Sequence, residues 1–217
     1  MRALSGPVVE PAGGRSADAL VVFLHGVGAD GQDLIGLAPM LRGHLPGAAF
    51  LSPDAPEPCD MAPMGRQWFS LQDRRPAALL AGVQRAAPDF SAFVEAELAR
   101  RGLGADRCVL VGFSQGTMTA LHVAPRHAPA FAAVAGFSGA LIGEELLAAE
   151  TVARPPILLV HGSADEVVPA QALPAARDAL AGAGFSVQWE IRPGLGHGID
   201  PHGIDRAGRF LRAALAG

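Results

Sequence analysis

Short apolar runs alternate with longer segments of helical periodicity along most of the chain. Six apolar runs, bounded by residues such as Gly, Pro, Ser or His, are predicted to be strands, at 19–24, 49–51, 108–113, 132–137, 157–160 and 187–191. Five other segments are predicted to be helices, at 32–41, 89–101, 115–124, 171–181 and 204–215. This order predicts an α/β fold, in which a mostly parallel, twisted sheet carries helices on both faces.

The stretch 52–76 breaks this alternation. It contains five prolines and several large apolar side chains. Irregular segments of this length in a compact domain are usually functional or mobile. We therefore predict a flap whose side chains line an acyl or alcohol pocket, formed by Met64, Trp68, Phe69 and Leu71. The alternative is a surface loop that is held in place by its own aromatic residues.

Composition places the chain among compact globular proteins. It has 217 residues, of which 50% are hydrophobic and 18% are charged, and this balance excludes disorder driven by charge. No repeat or linker divides the sequence, so residues 1–217 are predicted to form one domain.

The charge pattern argues against several classes of partner. The net charge is −4 and every basic residue is Arg, without a basic stripe, so neither nucleic acid nor an anionic membrane is an expected partner. The sequence shows no signal-peptide core and no apolar run of about 18 residues, so we expect no stable membrane anchoring. Two cysteines, Cys59 and Cys108, suit a reducing compartment, and we expect the protein to be cytoplasmic.

A serine with the context of a nucleophile follows the third predicted strand. Ser114 lies in Gly112-Phe113-Ser114-Gln115-Gly116, a G-x-S-x-G pattern between a strand and a helix. A sharp turn of this kind lifts the hydroxyl clear of the backbone, where a base and a substrate can reach it. The sequence therefore predicts a nucleophile elbow at Ser114.

A carboxylate and a base follow Ser114 in the chain order expected for such a site. Asp165 comes shortly after the strand at 157–160, and His197 lies in a glycine-rich loop after the last strand. Glu166 is a rival for the acid and is interpreted as a solvated neighbour. His202 is a rival for the base, but its place between Pro201 and Gly203 favours a helix entry.

The remaining histidines carry no clear motif. His161 is predicted to form a local hydrogen bond, and His44, His122 and His127 are interpreted as surface or core residues. The pairs 122/127 and 197/202 are spaced by five residues rather than four, so no metal site is predicted.

The turn after the first strand is the expected place for a second oxyanion donor. It reads His25-Gly26-Val27-Gly28, and the backbone N–H groups of Val27 and Gln115 are predicted to converge on a substrate carbonyl oxygen. The alternatives are a plain βα turn or a phosphate loop, but the spacing of a dinucleotide motif is missing.

Four segments resemble motifs of the phospholipase/carboxylesterase family of α/β-hydrolases, which includes the acyl-protein thioesterases. They are FLHGVGADG, GFSQG, HGSADEVVP and GLGHGI, in the order and spacing of the family and across nearly the whole chain. The segment 67–69 is also similar to the Trp-aromatic motif of that family. The chain departs from the family pattern at Thr117, where a second Gly is usual, and at Ser70, where Asp is frequent.

The resemblance implies an α/β-hydrolase fold and specific roles. They are Ser114 as nucleophile, Asp165 as orienting acid, His197 as general base, and Val27 and Gln115 as oxyanion donors. The implied enzyme is a serine carboxylesterase that acts on small to medium-chain esters through an acyl-enzyme, needs no cofactor and takes a small-molecule ester as its partner. A homodimer is the form that the resemblance suggests.

Other functions remain open at this point. Thioesters and lysophospholipids demand little that differs from what esters demand of the same residues. The scaffold also serves lyases and hydrolases of carbon–carbon bonds. A non-catalytic protein that binds a small ligand or a protein partner is a further alternative, because a fold does not determine a function.

Overall fold

A seven-stranded sheet forms the centre of the computed structural model, which describes residues 2–217. The strands along the chain are β1 (Val8–Val9), β2 (Ala19–Leu24), β3 (Ala48–Leu51), β4 (Glu57–Pro58), β5 (Arg66–Gln67), β6 (Cys108–Phe113), β7 (Ala133–Phe137), β8 (Ile157–Gly162) and β9 (Val187–Arg192). The sheet has the spatial order β1-β3-β2-β6-β7-β8-β9 and is parallel except for the pairing of β1 with β3. The six predicted strands are confirmed, with ends that differ by at most two residues. The other three strands, which include the separate β4–β5 hairpin, were not predicted.

Seven α-helices accompany the strands within residues 2–217. They are α1 (Gly31–Ile35), α2 (Ala38–Arg42), α3 (Pro76–Arg101), α4 (Gln115–Val123), α5 (Leu147–Glu150), α6 (Ala172–Gly182) and α7 (Pro201–Ala216). Short 3-10 turns lie at Ala12–Gly14, Ala105–Arg107, Ala124–Arg126 and Glu144–Leu146.

Side chains alternate between the two faces of the sheet and are buried on both. On β2, Leu20 and Val22 pack into a cluster with residues of α3, α4, α5 and α6, whereas Val21 and Phe23 pack into a second cluster with α1, α2 and α7. Because successive side chains of a strand point to opposite faces, a strand buried on both faces is apolar throughout. The predicted parallel sheet with helices on both faces is therefore confirmed.

Two helix predictions need correction. The single helix predicted at 32–41 is divided into α1 and α2, because Gly36 ends the first and Pro39, which lacks an N–H, lies in the first turn of the second. The helix predicted at 89–101 is only the second half of α3, which begins at Pro76 and continues through Pro88. Burial of Val83, Ala86 and Phe90 along one face holds the helix together across this proline.

The parallel strands direct their carboxyl ends to one edge of the sheet. The turns that follow β2, β6, β8 and β9 therefore meet at that edge, which is where open α/β sheets bind ligands. None of the helices over residues 2–217 combines the length and the hydropathy that crossing a membrane requires.

Candidate active site

Ser114 occupies a strained turn between β6 and α4. Its backbone has φ 53° and ψ −117°, a conformation that residues other than Gly rarely adopt. A Cβ on Gly116 would overlap with Leu24 O, so only Gly allows α4 to start this close to the end of β2. The Ser114 N–H donates to Phe137 O of β7 at 2.9 Å, which fastens the turn to the neighbouring strand. The sequence pattern predicted this elbow, and the structure contains a turn of that geometry.

The three side chains predicted for catalysis form one hydrogen-bonded chain. Ser114 Oγ lies 3.0 Å from His197 Nε2, and His197 Nδ1 lies 2.8 Å from Asp165 Oδ2. Asp165 follows β8 and His197 lies between β9 and α7, so three separate turns contribute one residue each. The ring of His197 also packs against Phe113, with ring centroids 4.8 Å apart.

Asp165 is held by donors on both carboxylate oxygens. Oδ1 accepts the backbone N–H groups of Val167 and Val168, each at 2.9 Å, and Oδ2 accepts from His197. Burial alone raises the pKa of Asp165, but the hydrogen bonds from His197, Val168 and Val167 outweigh it, so the pKa lies below its usual value. Asp165 is therefore ionised at neutral pH and can stabilise a positive charge on His197.

His161 lies beside the same carboxylate, close to the oxygen that accepts from His197. Its Nε2 lies 2.9 Å from Val168 O and 3.2 Å from Asp165 Oδ2, and its side chain is buried. The predicted local hydrogen bond is confirmed, while the contact with Asp165 was not predicted.

The loop that carries His197 is tied together at its two ends. Arg192, the last residue of β9, donates to Asp200 at 2.9 Å and to Glu190 at 3.0 Å. Asp200 in turn accepts the Gly203 N–H and so caps α7. His202, the rival base, lies in the first turn of α7 with Nε2 3.0 Å from Glu190 Oε1. Its predicted position at a helix entry is confirmed.

The two predicted oxyanion donors flank Ser114. Gln115 is the first residue of α4, and Val27 lies in the turn after β2. A Cβ added to Gly26 would be 3.4 Å from Ser114 Cβ, so the backbone next to Val27 passes beside the elbow. The absence of a side chain at Gly26 keeps this space open.

The prediction that Trp68 and Phe69 line an open pocket is wrong, and the same prediction for Met64 and Leu71 stays a prediction. Trp68 and Phe69 are each only 1% exposed and belong to the core, where Trp68 packs edge-on against Phe90 with ring centroids 5.5 Å apart. Met64 is 80% exposed and Leu71 packs against the margin of the same core. The alternative prediction, a surface loop that is held in place by its own aromatic residues, is right about their anchoring role, but both side chains lie in the core and not at the surface.

Polar contacts join this aromatic segment to the turns around Ser114. The indole N–H of Trp68 donates to His25 O at 3.0 Å. The Gln115 side chain accepts the Trp68 backbone N–H at 2.9 Å and donates to Phe69 O at 2.6 Å. Sequence reasoning missed these contacts, because the partners lie more than 40 residues apart and no local pattern indicates them.

A cavity with a mainly apolar lining lies between the start of α3 and the loop after β7. It has a volume of about 290 Å³ and is lined by Pro76, Leu79, Leu141, Ile142, Gly143, Glu144 and Glu145. This loop passes close to the elbow, because a Cβ on Gly139 would lie 3.0 Å from Ser114 O. Over the described residues, 2–217, no group of three or more His, Cys, Asp or Glu side chains is arranged to hold a metal ion.

The fold and the Ser–His–Asp arrangement at the carboxyl edge of its sheet define the class of α/β hydrolases. The model of the phospholipase/carboxylesterase family matches residues 5–215, and the chain belongs to this family of hydrolytic enzymes.

Comparisons with individual proteins agree with this assignment. The chain is 31% identical to "Esterase YpfH" of Escherichia coli K12, over 93% of this chain and 85% of that protein. It is 26% identical to "Acyl-protein thioesterase 1" of Gibberella zeae, over 96% and 95%. Among solved structures, esterase PE8 is 40% identical with a TM-score of 0.93, over 98% of this chain and 100% of that chain. Acyl-protein thioesterase 2 of Zea mays is 29% identical with a TM-score of 0.78, over 96% and 98%.

Proposed function

We propose that the protein is a serine carboxylesterase that hydrolyses small to medium-chain carboxylic esters through an acyl-enzyme on Ser114. The observation that carries this proposal is the hydrogen-bonded chain from Ser114 through His197 to Asp165. A single hydrogen bond between two polar side chains is common, but a nucleophile, a base and a buried acid in series are the parts that acyl transfer needs.

The first half-reaction forms the acyl-enzyme. Ser114 Oγ attacks the ester carbonyl carbon while its proton moves to His197 Nε2, and Asp165 stabilises the imidazolium through Nδ1. The negative charge on the former carbonyl oxygen is stabilised by the N–H groups of Val27 and Gln115. When the tetrahedral intermediate collapses, the carbon–oxygen bond of the ester breaks and the alcohol leaves with the proton from His197.

The second half-reaction releases the acid. Water attacks the acyl carbon while His197 takes its proton, and Ser114 recovers its own proton as the leaving group. The mainly apolar cavity between α3 and the 139–145 loop is the proposed place for the alkyl chain, and its volume of about 290 Å³ limits the length of that chain. Glu144 and Glu145 at this cavity disfavour an anionic group there.

A hydrolysis assay with acyl chains of increasing length tests the proposal. The substrates are 4-nitrophenyl acetate, butyrate and octanoate, and the variant is Ser114→Ala, combined with fluorophosphonate labelling. We expect the variant to lose at least about 10³-fold in kcat/KM and to resist labelling, since the nucleophile is gone.

Ser91→Ala is the matched control, because Ser91 lies on α3 outside the hydrogen-bonded chain. It should retain wild-type turnover and labelling. Turnover that persists in Ser114→Ala after purification to homogeneity contradicts the assignment. A wild-type protein that neither turns over these esters nor becomes labelled favours the binding scaffold instead.

A second candidate substrate class is the thioester, favoured by the relatives that are named acyl-protein thioesterases. The leaving group is a thiol rather than an alcohol, and the residues that act are the same. Comparing kcat/KM for an oxyester and a thioester with the same acyl chain separates the two activities. A third substrate class, the lysophospholipids, is tested by measuring fatty-acid release.

A further inference from the structure

We propose that Trp68 and His25 are positioning residues for the oxyanion site, and that together they fix the direction of the Val27 N–H. This inference rests on the proposed function, because it concerns how the Val27 and Gln115 N–H donors of that mechanism are held in place. It also gives the buried aromatic segment a role other than lining a pocket.

The imidazole of His25 helps to hold the peptide plane that contains the Val27 N–H, together with the Ala29 N–H, which donates to the same Gly26 carbonyl at 3.3 Å. His25 Nδ1 donates to Gly26 O at 2.7 Å. The Gly26 carbonyl and the Val27 N–H belong to one planar trans peptide and point in opposite directions. Fixing the carbonyl therefore fixes the direction of the N–H.

The protonation of His25 is set by its second ring nitrogen. Nε2 accepts the Ala55 N–H at 3.0 Å, so the proton of the neutral ring lies on Nδ1, where it is needed as a donor. The side chain is fully buried, and burial lowers the pKa of His25, so the ring stays neutral at and above neutral pH. The acidic groups that act on this ring, Asp54, Asp30 and Asp33, only partly offset the effect of burial.

Trp68 fixes the peptide that precedes this plane. Its indole N–H donates to His25 O at 3.0 Å. Two successive carbonyls, those of His25 and Gly26, are thus held by ring N–H donors that are themselves buried. The turn after β2 therefore has little freedom to rotate the peptide that carries the Val27 N–H.

The same segment holds the other oxyanion loop. The Gln115 side chain, fully buried, bonds to the backbone at Trp68 and Phe69. The turns that carry the Val27 and Gln115 N–H groups are therefore both bonded to the same short segment, 68–69, and this restricts the distance between the two donors. Preorganised donors stabilise a transition state because no reorganisation is needed during the reaction.

The test compares Trp68→Phe with Phe90→Leu. The first removes the N–H donor and keeps an aromatic ring in the core, whereas the second disturbs the packing on Trp68 and leaves its hydrogen bond in place. We expect Trp68→Phe to lower kcat for 4-nitrophenyl butyrate about tenfold with little change in KM, since only transition-state binding is lost. The Ki of an alkyl trifluoromethyl ketone, which forms a tetrahedral adduct with the serine, should rise by a similar factor.

Phe90→Leu should lower thermal stability but change kcat and this Ki by no more than about twofold. His25→Leu and His25→Asn form a second pair, because Asn retains a donor near the position of Nδ1 and Leu does not. We expect Asn to restore part of the kcat that Leu loses. Equal kinetics for Trp68→Phe and Phe90→Leu, or a loss confined to KM, would overturn the proposal.

Hydrogen exchange separates this proposal from the proposed function. Trp68→Phe should speed amide exchange in the segment 25–29, and Phe90→Leu should not. Faster exchange in a protein without Ser114-dependent turnover would refute the esterase assignment and leave the bracing contacts in place. Unchanged exchange and unchanged kcat in an active enzyme would refute the positioning role alone.

Discussion

Thr117 shows how a departure from the family pattern is accommodated by its surroundings. Its hydroxyl donates to Phe137 O at 2.9 Å and accepts the Phe137 N–H at 3.0 Å. The same carbonyl accepts the Ser114 N–H, so the elbow is held to β7 at two points. Gly136 and Gly139 have no side chains that would collide with the Thr117 methyl.

Replacing Thr117 with Val should lower the free energy of unfolding by about 1–3 kcal/mol. Val keeps the shape, but it removes both hydrogen bonds between the Thr117 hydroxyl and Phe137, and each buried hydrogen bond contributes about 0.5–1.5 kcal/mol. Urea unfolding measures the loss. Thr117→Ser keeps the hydroxyl and is the control, which we expect to be more stable than Thr117→Val; the reverse order would show that the methyl matters more than the hydrogen bond.

His122 is expected to make the stability of the fold depend on pH. His122 on α4 is buried, and burial, with a smaller effect of Arg126, lowers its pKa from 6.5 to about 4. Between these values the unfolded chain binds more protons than the folded one, so stability falls as the pH decreases from about 6.5 to about 4. One proton accounts for at most about 1.4 kcal/mol per pH unit. Urea unfolding across this range should show the slope in the wild type and a flatter line in His122→Gln; parallel slopes would exclude His122 as the source.

At the level of elements, α3 contains a proline that interrupts its hydrogen bonding. Pro88 lies inside this 26-residue helix and has no N–H to donate to Gln84 O. Pro88→Ala should therefore raise the free energy of unfolding by about 1–3 kcal/mol, after the smaller entropic gain of proline is deducted. Pro76→Ala is the control, because a proline at the first helical position lacks only a bond that is missing there anyway. A loss of stability in Pro88→Ala would contradict the argument that the missing N–H weakens this helix.

The sequence predicts well those elements whose burial is visible as a continuous local run of apolar residues. Strands β2 and β6 were predicted with their observed ends, because both faces are buried and the runs are apolar throughout. The first half of α3 was missed because Pro88 is typical of a helix start rather than an interior position. The β4–β5 hairpin has only two residues in each strand, too few for a period to be recognised.

Across the whole molecule, some parts of the candidate site could be predicted from the sequence and others could not. Ser114, Asp165 and His197 could be predicted because each follows a strand, and parallel strands bring their carboxyl ends together. The hydrogen bond of Trp68 to His25 could not be predicted, since it spans 43 residues and depends on how the 52–76 stretch folds back. An aromatic residue beside a site signals a pocket and a core equally well, and only burial distinguishes them.

The strained turn at Ser114, the proposed nucleophile, lowers the stability of the whole fold, and a pair of variants can measure this cost. Ser114 has φ 53°, a conformation that costs non-glycine residues about 1–3 kcal/mol. Ser114→Gly and Ser114→Ala both remove the hydroxyl and should both be inactive, but only Gly relieves the backbone. We expect Ser114→Gly to exceed Ser114→Ala in free energy of unfolding by about 1 kcal/mol or more, despite the greater entropy of glycine in the unfolded chain. Equal stabilities in urea would mean that the surrounding contacts, the Phe137 carbonyl among them, impose no strain at this turn. A more stable Gly variant would show that the fold gives up stability to hold the Ser114 hydroxyl in reach of His197.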